Sequence, residues 1–143
     1  MKKFYVFLLL ISGFILCAQN SNAQELPLIP YPSNIKIDNG NFVINDKTTI
    51  VVSDMDKFNN EATYLQELLK SAIGKNIPIV KKGSKNVIEI KYSSQLEKAE
   101  AYVLNVNPNR IEILASDWHG AFNALQTLRQ LLPANIESAS YNV

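Results

Sequence analysis

The sequence predicts an α+β two-layer sandwich: a mostly antiparallel or mixed sheet with two helices packed on one face. Three observations carry this. Residues 58–73 and 118–132 place apolar side chains at helical spacing. Short β-branched runs, each bracketed by turn residues, lie before and between them. Each helical segment has one wide apolar stripe, and one sheet face can cover both.

Residues 1–23 read as a signal peptide. Lys2 and Lys3 form a positive start, an apolar run follows to Ala18, and Ser21-Asn22-Ala23 has the small-x-small pattern of a cleavage site. The apolar run is short for a membrane span, which needs about 20 residues. Export to a periplasmic or extracellular location is therefore expected. Cys17 is the only cysteine. Leu16 stands before it where lipidation wants a small residue, so a lipoprotein anchor is the lesser expectation. The formal charge is +1 in full and −1 once the two lysines are removed. Such a balance gives no electrostatic basis for binding nucleic acid or an anionic membrane. Residues 24–133 then suit one domain with one modest core, and residues 134–143 read as the start of a linker.

Pro27, Pro30 and Pro32 hold the entry extended. It is either a plain leader or a strap that docks on a neighbouring domain through Leu28, Ile29 and Tyr31. Ile35-Lys36-Ile37 and Phe42-Val43-Ile44 flank Asn39-Gly40, a hairpin pattern. Residues 48–53 (TTIVVS) are almost continuously apolar, which suits an interior strand. Asp54 and Asp56 offer capping oxygens to a helix whose stripe is Phe58, Ala62, Leu65, Leu68, Leu69, Ala72 and Ile73. Gly74 stops it.

Residues 77–80 contain Pro78 and read as an edge strand or strand entry. KKGSKN (81–86) is a solvated turn, and VIEIKY (87–92) alternates as a half-buried strand. Residues 101–106 and 111–115 form a second hairpin about the turn Asn107-Pro108-Asn109-Arg110. Asp117 or Ser116 caps the last helix. Its stripe is Trp118, Ala121, Phe122, Leu125, Leu128 and Leu132, and Pro133 ends it. Gly120 weakens helix propensity, so a close backbone approach is expected there.

Candidate chemistry is sparse. Ser116, Asp117 and His119 are close in sequence, but a triad needs convergence in space. His119 is the sole histidine, and nothing completes a zinc site around it. Asp54/Asp56 and Glu97/Glu100 fit caps and solvated faces better than a glycosidase acid pair, because no apolar pocket surrounds them. No catalytic, cofactor or metal residue is assigned. Arg129 projects about 20° from Trp118 on the helical wheel, inside the apolar stripe. Either its stem packs while its head reaches solvent, or it anchors another part of the enzyme. Arg129 and Trp118 are thus the candidate interdomain contacts.

The run EAYVLNV…IEILASDWHGAFNALQTLRQLLP, residues 100–133, resembles the end of the N-terminal non-catalytic domain of glycoside hydrolase family 20, the β-N-acetylhexosaminidases. Leu28-Ile29-Pro30-Tyr31-Pro32 resembles the entry to that domain. The resemblance implies a two-layer α+β domain of the hexosaminidase N-terminal type, placed before a catalytic (β/α)8 barrel that is its partner in the parent chain. It also implies a retaining, acetamido-assisted hydrolysis of terminal β-linked N-acetylhexosamine from glycans. Glycan substrate would be met through the barrel, whose Asp-Glu pair, arginine and tryptophans match nothing here, so these residues alone are expected to be inactive. The corresponding domains of family 84 and family 67 glycosidases are alternatives. So is a free-standing exported carbohydrate-binding or interaction module, which would show exposed aromatic side chains.

Overall fold

A computed structural model describes residues 26–136. The expected signal peptide, Cys17 and most of the expected linker lie outside the described residues. Five strands form one sheet: β1 (Thr49–Val52), β2 (Ile79–Val80), β3 (Val87–Tyr92), β4 (Tyr102–Asn107) and β5 (Arg110–Ala115). Their spatial order is β2-β1-β3-β5-β4. β1 pairs in parallel with β2 and β3, and β3 pairs in parallel with β5. Only β4–β5 is antiparallel, closed by the two-residue turn Pro108-Asn109. The sheet is therefore mixed, and parallel in most of its pairs. Helices α1 (Met55–Ile73) and α2 (Trp118–Leu131) contribute to one core on one face, and a short 3-10 turn, Ala134–Ile136, follows.

Strand register explains the core. Ile50, Ile88 and Ile111 are lateral neighbours across β1, β3 and β5, and so are Val52, Ile90 and Ile113. Because side chains alternate, these two rows face the helices together. They meet Phe58, Ala62, Leu65 and Leu69 of α1 and Ala121, Ala124, Leu125 and Leu128 of α2. β1 is buried along nearly its whole length, as its interior position requires. Ile136 also enters this core, so the packed unit reaches past Pro133.

The opposite sheet face is polar. Lys91 Nζ lies 3.1 Å from Glu89 and 3.2 Å from Glu112, and Arg110 is 3.3 Å from Glu89. Burial draws the Lys91 pKa down, but the Glu89 and Glu112 carboxylates outweigh it and hold the ammonium above its ordinary value. Gly83 of the 81–86 turn approaches Val51 and Val87, covering the apolar corner of this face.

Three expectations are corrected. Residues 35–44 form no strands. Gly40 does take a positive φ, +114°, but Ile35, Ile37 and Val43 are exposed and only Phe42 and Ile44 lean on the core. Three-residue arms without a third strand bury too little to hold a ladder. Asp54 occupies the N-cap position of α1, yet its side chain makes no capping bond. It accepts from Lys57 Nζ at 3.0 Å instead.

The third correction concerns the buried arc of α2, which comprises Gly120, Ala121, Ala124, Leu125, Thr127 and Leu128. It is turned by roughly 80° from the apolar stripe read in the sequence. Small residues let the helix settle closer to the β4–β5 hairpin than the large ones would. Thr127 completes that contact through a 2.7 Å hydrogen bond with the Tyr102 hydroxyl.

Candidate functional site

The rotation of α2 decides where the candidate contact residues stand. Trp118 is 55% exposed and Phe122 42%. Arg129 is exposed as well. The core placement of Trp118 and the buried-stripe placement of Arg129 are corrected for this domain, while the interface alternative for Trp118 is kept. Both lie at the margin of the buried arc, on the side away from the sheet. Phe122, read as core, joins them there. Tyr64 of α1 extends the strip: its ring centre is 5.5 Å from that of Phe122, and its hydroxyl accepts from Gln126 at 3.0 Å.

The N-terminal entry reaches the far end of the same helix. Ile29 N–H donates to Gln130 Oε1 at 2.8 Å, and Gln130 Nε2 donates to the Ile29 carbonyl at 3.0 Å. Leu28 is buried in this domain, whereas Ile29 and Tyr31 are exposed. The entry is thus clasped to α2 with two apolar side chains still facing outward.

At the N-terminal end of α2, Asp117 is the cap. Oδ1 accepts from Gly120 N–H at 2.8 Å and Oδ2 accepts from Glu100 N–H at 3.0 Å. These two bonds, that from Glu100 foremost, hold the carboxyl below the ordinary aspartate range. One side chain therefore staples the entrance of β4 to the start of the helix. His119 Nδ1 is 4.0 Å from Asp117 Oδ1, beyond hydrogen-bond reach, and its ring stacks on the Trp118 indole at 3.3 Å. Ser116 Oγ donates to the Ala101 carbonyl. All three groups are engaged in local structure and do not converge as a triad. Glu100 likewise spends its N–H on Asp117. No three His, Cys, Asp or Glu side chains gather in metal-binding geometry among the described residues. No described helix is long and apolar enough to cross a membrane.

The Asp117 staple predicts a pH dependence. A carboxyl whose folded pKa is depressed adds stability that is fully present above its unfolded pKa, about 4, and is lost as pH falls through the folded value. Urea unfolding between pH 5 and pH 2.5 should therefore show the native chain losing more stability than Asp117→Asn. Equal losses would leave the staple without energetic weight.

A cleft of about 380 Å³ lies between the N-terminal turns of the two helices, lined by Asp56, Lys57, Asn60, Glu61 and Trp118. Lys57 is already committed: its Nζ is bound to Asp54 and sits 4.7 Å from the Tyr92 ring centre. Glu61 is 6% exposed. Sequence inspection passed over Glu61, although the helical wheel shows an acid one step from Ala62 and three from Phe58, on the margin of an apolar stripe.

Together these features define a two-layer α+β domain whose conspicuous surface is an aromatic helix face rather than a reaction centre. The chain belongs to glycosyl hydrolase family 20, domain 2, which it matches over residues 25–142. It is 32% identical over 134 residues to a β-hexosaminidase of Porphyromonas gingivalis, covering 87% of this chain and 17% of that protein. It is 27% identical to β-hexosaminidase subunit A2 of Dictyostelium discoideum, covering 99% and 28%. Among solved structures, the GH20 β-N-acetylhexosaminidase of Streptomyces coelicolor superposes with a TM-score of 0.66 at 31% identity, covering 74% of this chain and 21% of that one. The N-acetyl-β-hexosaminidase of Streptomyces plicatus, in complex with Thio-NAglucal, gives 0.69 at 30% identity over the same shares. The chain thus spans well under a third of the length of these relatives.

Proposed function

We propose that this domain is the non-catalytic N-terminal part of an exported β-N-acetylhexosaminidase, and that it positions the catalytic barrel. The observation that carries the reading is the family match across residues 25–142. In this reading the barrel removes terminal β-linked N-acetylhexosamine with retention, the substrate's own acetamido oxygen attacking the anomeric carbon. The leader at residues 1–23 directs export.

The physical basis for a positioning role is the asymmetry of the two layers. The outer sheet face is closed by its own ion pairs. The outer helix face leaves Trp118, Phe122 and, at the entry, Ile29 and Tyr31 open. Apolar area left in water favours association at roughly 25 cal/mol per Å² once covered. We assign that face, with Trp118 and Arg129, to contact with the barrel.

The test is enzymatic. A polypeptide of residues 24–143 is expected to show no hydrolysis of an aryl N-acetylglucosaminide above buffer, while the parent chain carrying the barrel is active. Robust turnover by residues 24–143 alone would overturn the reading.

A further inference from the structure

We infer that the cleft between the two helix starts receives a basic side chain, an arginine or lysine of the catalytic barrel, whose cationic head pairs with Glu61 and whose stem lies along Trp118. The inference rests on the barrel proposed above. Its starting point is a carboxylate that the fold leaves facing the cleft. Glu61 is 6% exposed and lines the cleft. Among the described residues it has no hydrogen-bond or ion-pair partner. No buried side-chain oxygen among the described residues lacks a partner, so the carboxylate oxygens meet the water of the cleft, and a cationic head seated there takes that water's place.

The chemistry of the walls selects the occupant. Asp56 adds a second carboxylate, and the only cationic wall residue, Lys57, is held by Asp54 and the Tyr92 ring. The cleft therefore carries surplus negative charge. This disfavours an anion, and a neutral sugar would leave the charge unanswered. Trp118 supplies an indole, the aromatic side chain that best attracts a cation. An arginine fits both demands, with a planar head for a carboxylate and a face that stacks. The cleft also opens on the same helix layer as Phe122, so a barrel resting on that layer brings its side chains within reach.

The experiment uses the parent protein, barrel included. Glu61→Gln keeps the shape and removes the charge. Glu97→Gln, on an exposed loop residue, serves as control. Limited proteolysis between the two domains is followed alongside hydrolysis of an aryl N-acetylglucosaminide, with near-ultraviolet circular dichroism to establish that each variant is folded. Glu61→Gln is expected to be cut between its domains at least roughly tenfold faster than the native and Glu97→Gln proteins, the scale on which losing one member of a desolvated charge pair loosens an interface. Trp118→Ala should do the same to a smaller degree.

Equal cleavage rates in an active two-domain parent would overturn this inference and leave the proposed function standing. A parent without hexosaminidase activity would overturn both. Glu61-dependent protection by added N-acetylglucosamine would also overturn the inference, assigning the cleft to a sugar instead.

Discussion

Phe58→Ala is expected to destabilise the domain by about 3–5 kcal/mol, the range for emptying a buried aromatic site. Stabilities of single domains run at about 5–15 kcal/mol, so this one change would remove a large share of the total. Phe58 is fully buried and belongs to the main core cluster. Its backbone leaves helical geometry, at φ −129° and ψ 19°, inside the first turns of α1. The helix is thus bent where the ring enters the core, and Phe58 N–H still bonds to the Asp54 carbonyl at 3.2 Å. Alanine would keep the bend and lose the ring, leaving a void between α1 and the sheet. Phe58→Leu should be milder, at about 1–2 kcal/mol, because most of the volume survives. Urea midpoints at constant slope would measure both. A loss below about 1 kcal/mol for Phe58→Ala would mean the site collapses freely.

Much of this architecture was legible in the residues. Near-continuous burial of β1 follows from TTIVVS, the edge position of β2 from Pro78, and the helix stop from Gly74, whose φ is +77°. The parallel pairing was not legible. Alternation tells which side chains share a face, but neighbours in space are chosen by packing across distant segments. Asp54 misled for a related reason. A capping side chain and an ion-pairing one are the same residue, and the nearby Lys57 won. The Asn-Gly pair at 39–40 marked its turn correctly, yet turn chemistry cannot supply the buried area that a strand pair needs.

The candidate site was half legible for the same physical cause. Helical phase brought Trp118, Phe122 and Arg129 onto one strip, and the structure keeps them together. Phase alone could not say whether that strip faces the sheet, because two competing faces of α2 exist. One carries large apolar side chains and the other carries Gly120, Ala124 and Thr127. The sheet took the small face because close approach gains contact along the whole β4–β5 hairpin. An aromatic face turned outward is then a residue of the same choice. Glu61 escaped notice because burial of a polar group depends on what α2 places across from it.

Gly120 is where that choice is most exposed to test. Gly120→Ala is expected to destabilise the domain by about 2–3 kcal/mol through overpacking, although helix propensity alone would have it stabilise by about 1 kcal/mol. The sign is decided by the neighbour. A Cβ on Gly120 would collide with the Ala101 carbonyl oxygen, a backbone atom. That oxygen is fixed from two sides, accepting from Ser116 N–H at 3.0 Å and from Ser116 Oγ at 3.2 Å. It cannot swing aside without opening the junction of β4 with β5, and α2 cannot retreat without uncovering Ala121 and Ala124. Gly74→Ala provides the comparison. Nothing lies within 4 Å of its added Cβ, so only the left-handed backbone resists, at about 1–2 kcal/mol. Thermal or urea unfolding of the two variants side by side should place Gly120→Ala as the more damaging. The reverse order would show that α2 has room to move on the hairpin, and the outward aromatic face would then need another cause.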